Sequence, residues 1–121
     1  MALLSIAQKH DVVVVTFNEN RILDENTIRQ IGQEFSKLPT EAAAGRKLLL
    51  KFDKVTFMTS AMLGQIMKLT KLAKAEKVDL KLCEIPALIL DVFKLTRLDK
   101  VLDIYKSEAA ALQAFGPPHK S

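Results

Sequence analysis

Leu48-Leu-Leu-Lys-Phe-Asp53 is apolar nearly throughout, and after a short interval the residues from about Ser60 to Ala75 change to a different period. The first stretch suits a central strand covered on both faces. In the second, Met62, Leu63, Ile66, Met67, Leu69, Thr70 and Ala73 make one wide apolar face, with Gln65, Lys68, Lys71 and Lys74 on the other. That spacing predicts an amphipathic helix. Val78-Asp-Leu-Lys-Leu-Cys83 then alternates at period two, as a strand near a sheet edge does. A strand, a helix and a further strand require a right-handed crossover, which lays the helix against a mostly parallel sheet.

Upstream of this unit, Leu3 to Ala7 and Val12 to Phe17 are extended runs separated by Gln8-Lys9-His10-Asp11, and they read as a hairpin. Four consecutive valines lose rotamer freedom in a helix, so Val12 to Val15 belong in a central strand. Asn18-Glu-Asn-Arg21 breaks the run. From Asp24 the period lengthens: Ile28, Ile31 and Phe35 mark a helix that Asp24 can cap and Pro39 limits. Thr40 to Arg46 reads as a loop or a frayed helical extension.

Downstream, Pro86 suits the first position of a helix whose apolar stripe is Leu88, Ile89, Val92 and Phe93. Leu102 to Tyr105 is a short strand, and Ser107 with Glu108 can cap a last helix carrying Ala109, Leu112 and Phe115, ended by Gly116-Pro117-Pro118. The expected order is β-β-α-β-α-β-α-β-α, an α/β fold with a mixed, mostly parallel sheet. Residues 1–116 form one domain on this reading, and 117–121 a flexible tail.

An apolar fraction of 49% with 26% charged residues excludes intrinsic disorder, collagen-like repeats and a small disulfide scaffold. The net charge of +4 is spread among acids and accompanied by one tyrosine and no tryptophan, which argues against nucleic acid. No apolar run approaches the roughly 20 residues of a membrane span. The first ten residues lack the pattern of a secretory signal, so a cytoplasmic location is expected. Cys83 has no partner for an internal disulfide, and neither His10 nor His119 stands in a metal-binding spacing. The four glycines are ungrouped, which excludes the phosphate-cradling turns of nucleotide-binding folds. Asp24, Asp53, Asp99 and Asp103 are dispersed, and no nucleophile and base can be assembled. No catalytic residue, metal or cofactor is therefore assigned, and an enzyme is not expected. Lys68, Lys71 and Lys74 read as the wet side of their helix.

One segment stands apart. Val55-Thr-Phe-Met-Thr-Ser-Ala-Met-Leu-Gly64 joins a buried strand to a helix and places two hydroxyls, on Thr59 and Ser60, at the helix entrance. Amide dipoles there favour negative charge by about 0.3–1 kcal/mol, so a phosphoryl group on Ser60 suits the position. The plain alternative is that one hydroxyl is an N-cap and nothing more.

Over almost its whole length the chain resembles the STAS domains of bacterial anti-sigma factor antagonists. The residues that carry the likeness are Arg21-Ile-Leu-Asp24, the strand Leu48 to Asp53, the segment Val55 to Gly64, and Leu95-Thr-Arg-Leu-Asp-Lys-Val-Leu-Asp-Ile-Tyr105. Where the family commonly reads Phe-Met-Asp-Ser-Ser/Thr-Gly-Leu-Gly, this chain reads Phe57-Met-Thr-Ser-Ala-Met-Leu-Gly64. The family's phosphorylated serine then falls on Ser60, with Thr59 a second-choice acceptor. Thr59 stands where the family usually has Asp, and Met62 where it usually has Gly, enlarging the apolar surface at the helix start.

The resemblance implies a phosphorylation-switched interaction domain. Such a protein binds an anti-sigma factor that is itself a serine kinase, frees a sigma factor for transcription, and is released when its serine is phosphorylated. Asp24, Thr59, Ser60, Ala61 and Met62 are the partner-binding residues it implies, with a serine phosphatase as a further candidate partner and a monomer or weak dimer as the expected state. The alternative is a constitutive STAS module of a stressosome-like or lipid-transport assembly, without a switch.

Overall fold

The computed structural model describes residues 3–41 and 46–115. The expected helix stop at Gly116-Pro117-Pro118, the tail 117–121 with His119, and residues 42–45 lie outside the described residues. In chain order the elements are β1 (Leu4–Lys9), β2 (Val12–Phe17), β3 (Arg21–Ile22), α1 (Glu25–Phe35), α2 (Leu38–Glu41), β4 (Lys47–Lys51), β5 (Phe57–Met58), α3 (Ser60–Ala75), β6 (Asp79–Cys83), α4 (Ala87–Leu95), a 3-10 turn (Leu98–Lys100), β7 (Ile104–Tyr105) and α5 (Glu108–Phe115).

The valine run does form a central strand. Antiparallel β1 lies on one side of β2, with Leu4 opposite Phe17, and parallel β4 on the other, with Val13 beside Leu48. The main sheet has the order β1-β2-β4-β6-β7, and every pairing after the hairpin is parallel. Val13, Val15, Phe17, Leu48 and Leu50 pack with the buried faces of α1, α3 and α4 in the larger core. Val12, Val14, Leu49 and Cys83 face the other way and meet Ala111 and Phe115 of α5. Three layers result, and Phe17, Phe52 and Phe93 anchor the thicker side, with ring centroids 4.8 Å and 6.3 Å apart in succession. Each such ring contributes about 1.5–3 kcal/mol by leaving water.

β6 is second from the edge of the sheet, as its alternation predicts, and β7 pairs only with Leu82 and Cys83, which leaves the start of β6 open on that side. Lys81 is nevertheless buried there, because Asp103 at 2.6 Å and Asp79 at 3.2 Å neutralise it and the Phe115 ring lies 4.9 Å from its ammonium. The helix that Asp24 caps ends at Phe35, short of Pro39 as expected, but Pro39 itself sits within the separate short α2, where an early position needs no amide donor. Pro86 is the residue before α4 and not its first. In α4 only Ile89 and Phe93 point inward, while Leu88 and Val92 are exposed. In α5 the buried positions are Ala111 and Phe115, whereas Ala109 is exposed and Leu112 half-buried. Finally, β3 starts at Arg21, the last residue of the expected break, and β5 forms within the Val55 to Gly64 connection, at positions where no strand is expected.

Candidate functional site

Two of the three two-residue strands build the site. β3 and β5 pair in parallel as a separate two-stranded ribbon, Arg21 beside Phe57 and Ile22 beside Met58. The amides of Thr56 and Phe57 donate to the Asn20 carbonyl at 2.6 Å and 3.2 Å, and the Thr59 amide donates to the Ile22 carbonyl at 3.1 Å. β3 leads through Leu23 and Asp24 into α1, and β5 through Thr59 into α3, so the ribbon brings the N-terminal ends of α1 and α3 side by side. Asp24 and Ser60, separated by thirty-odd positions of chain, thereby enter one surface.

The two helix starts differ chemically. At α1, the Asp24 carboxylate accepts the Thr27 amide at 3.1 Å, and Glu25 occupies the first turn. That end is already neutralised by its own acids. At α3, Thr59 occupies the capping position without a side-chain cap bond, and no acidic residue lies in the first turn. Sixteen residues of aligned peptide dipoles thus end at Ser60 with no carboxylate of their own helix beside them.

Ser60 is exposed as the first residue of α3, and Ala61 is exposed beside it. Thr59 is half-buried, and its hydroxyl oxygen is enclosed with no hydrogen-bond partner among the described residues. Of the two hydroxyls at the helix entrance, only that of Ser60 belongs to an exposed residue. The expected role of Met62 as added surface at the helix start is corrected: it is fully buried, because two positions beyond Ser60 the helix has turned toward the sheet. Met62 seats the helix instead of meeting a visitor.

Several large apolar side chains on the neighbouring elements are exposed, which the sequence reading did not assign to any surface. Leu23, which links β3 to α1, and Phe57 on β5 are exposed, and α4, which packs against β5, turns Leu88 (72% exposed) and Leu95 (84%) outward. The signal for α4 was available, since Leu88, Val92 and Leu95 recur at helical spacing beside the stripe already filled by Ile89 and Phe93. For Phe57 no periodic signal was available, because a two-residue strand carries no alternation, and Leu23 lies in a two-residue link that has no period at all.

The clefts of about 220, 280 and 300 Å³ are lined by other residues, and Asp24, Thr59 and Ser60 line none of them. No group of three or more His, Cys, Asp or Glu among the described residues can hold a metal ion. No helix among them is long and apolar enough to cross a membrane. Cys83 is buried under α5, and burial pushes its thiol up to about 12, so it is a core residue. His10 lies exposed in the hairpin turn at φ 57°. Ser60 is thus an exposed residue at the positive end of the α3 dipole, next to a strand whose Phe57 is also exposed.

A family model described as STAS domain matches residues 3–111. No curated protein matches the chain. Among solved structures, an anti-sigma-factor antagonist (STAS) domain protein from Planctomyces limnophilus superposes with a TM-score of 0.79 at 22% identity, over 94% of this chain and 98% of that one. The Bacillus cell fate determinant SpoIIAA in its phosphorylated form superposes with a TM-score of 0.65 at 16% identity, covering 92% and 98%. The anti-sigma factor antagonist SpoIIAA in its unphosphorylated form gives 0.67 at 17%, covering 94% and 99%. At these identities the likeness is one of fold.

Proposed function

The chain belongs to the STAS domain family, and from that premise we propose that it is an anti-sigma factor antagonist, a binding protein switched by phosphorylation of Ser60. The observation that carries the reading is the exposed Ser60 at the start of α3, held beside the α1 entrance by the β3 and β5 ribbon and bordered by exposed Leu23 and Phe57. Support comes also from the structural neighbours, one of which has been solved in phosphorylated and unphosphorylated forms.

The mechanism follows from charge. An unmodified serine is a small neutral group on a surface that an anti-sigma factor with serine kinase activity covers, and covering it frees the sigma factor that the kinase held. Phosphorylation adds about −1.5 to −2 charge at pH 7. The phosphate is tolerated by this chain, because the α3 dipole end attracts it, but an interface packed around a neutral hydroxyl cannot bury a dianion. A loss of about 3–4 kcal/mol weakens the complex some hundredfold or more. A serine phosphatase would restore the binding form. Asp24, Thr59 and Ala61 frame the contact, with Thr59 acting through its backbone and its seat beneath the first turn.

Incubation of the purified chain with its cognate kinase and ATP is expected to place one phosphate on Ser60, seen by mass spectrometry. Ser60→Ala takes none, and Ser60→Asp binds the partner about a hundredfold more weakly while remaining folded. Full regulation by Ser60→Ala would instead mark a constitutive interaction module.

A further inference from the structure

The outer side of α3 extends the Ser60 surface in a definite direction. Ser60, Gly64, Met67, Lys71 and Lys74 follow one another at intervals of four and three residues, so they form one row about 21 Å long. All are exposed except Met67, which is half-buried. At Gly64 a β-carbon would meet nothing within 4 Å, so the row is open where it leaves Ser60. At its far half, Lys68, Lys71 and Lys74 enter no ion pair among the described residues, and α3 contains no carboxylate to balance them. Like charges three residues apart repel, so the C-terminal half of this helix holds a positive strip that no ion pair among the described residues neutralises, and it begins about 16 Å along the row from the positive dipole end at Ser60.

We infer that this row is the docking track of an acidic, helix-forming segment of the protein partner, its carboxylates over Lys71 and Lys74 and its leading turn over Ser60. The inference rests on the antagonist reading, in that the same partner is the one switched at Ser60. It gives the modification a local mode of action: a phosphate at the head of the track obstructs the leading turn of the segment and repels the acidic groups within about 10 Å of it. A protein segment fits better than nucleic acid, because the row has no arginine and no aromatic ring to stack a base, and its middle is glycine and methionine.

The test uses the isotope-labelled full chain and two synthetic helical peptides of about 14 residues, matched to the length of the row. Both carry leucine at heptad spacing, one with glutamate and the other with lysine at the remaining surface positions. A single-stranded oligonucleotide of similar length is the third probe. Expected are amide shifts at Ser60, Gly64, Lys71 and Lys74 with the acidic peptide alone, at least about tenfold weaker binding in Lys71→Glu/Lys74→Glu, and loss of binding at about 0.5 M salt. Both substitutions are on exposed sites, and circular dichroism checks that the variant is folded. Equal binding of the two peptides, tighter binding of the oligonucleotide, shifts confined to Leu88–Leu95, or no binding at all would overturn the proposal. No kinase enters this titration. A chain that takes the acidic peptide but gains no phosphate at Ser60 therefore refutes the switch and keeps the track. A chain phosphorylated at Ser60 whose affinity for its purified partner ignores the lysine reversal refutes the track alone.

Discussion

The amide of Thr59 donates to the carbonyl of Ile22 at 3.1 Å, and this bond ties the residue before Ser60 to the strand that leads into Asp24. Ile22 is fully buried, so its side chain fixes the ribbon to the larger core while its carbonyl fixes the start of α3. Ile22→Ala leaves a cavity and is expected to cost about 2–5 kcal/mol in urea unfolding. Hydrogen exchange adds a local reading: the Thr59 amide should lose protection by a larger factor than amides in β2 or β4, which do not depend on the ribbon. A uniform change across all of them would show that the ribbon does not hold the helix start.

The hydroxyl of Thr59 is enclosed and unpaired. A buried polar group without a partner costs about 1–3 kcal/mol, and an apolar side chain of the same shape removes that cost. Thr59→Val is therefore expected to raise the unfolding free energy by about 1 kcal/mol, with Ser60 still available to a kinase. A destabilised Thr59→Val would mean that the hydroxyl has a partner in solution, such as an ordered water.

Sequence reading reached the framework because its elements have clear periods. The valines of β2 and the leucines of β4 are buried on both faces, and the apolar residues of α1 and α3 recur at helical spacing, so strand, helix and order were all legible. The ribbon was not, because Arg21–Ile22 and Phe57–Met58 are too short to show any period and are specified by pairing across 36 positions. Turns were harder to place than usual for a physical reason: His10, Arg46, Lys77, Glu84 and Arg97 all adopt positive φ, so several corners lack the glycine that would mark them. The site was half legible. Ser60 and Asp24 stand at helix starts that capping rules identify, whereas the inward turn of Met62 and the outward turn of Leu88 depend on helix phase relative to the sheet.

Gly64 lies within α3 but makes no contact that requires its missing side chain. Glycine inside a helix costs about 1 kcal/mol relative to alanine, so Gly64→Ala should stabilise the chain by nearly that amount, read as a higher urea midpoint. The same methyl group stands on the outer row next to Ser60. Stability should rise while affinity for the acidic peptide falls, and a parallel rise in both would argue that nothing approaches α3 closely at this point.

Glu108, at the start of α5, accepts from Lys9 of β1 and pairs with Lys51 of β4 at 2.9 Å, so one carboxylate fastens the helix to two strands of the sheet. The hydrogen bond from Lys9, aided by Lys51 and opposed by burial, holds this carboxyl below its ordinary value of 4.5. A group whose folded pKa is depressed contributes stability that is complete above the unfolded pKa and is lost as pH falls through the folded one. Glu108→Gln keeps the shape and removes the charge, leaving Lys51 without this counter-ion in a half-buried setting. At pH 7 the variant should be less stable by about 1–2 kcal/mol. The difference should begin to shrink once the pH drops below about 4.5 and should close in stronger acid. Urea unfolding of both proteins across that range gives the curve. A gap that persists unchanged into acid would place the contribution of Glu108 in packing and not in its charge.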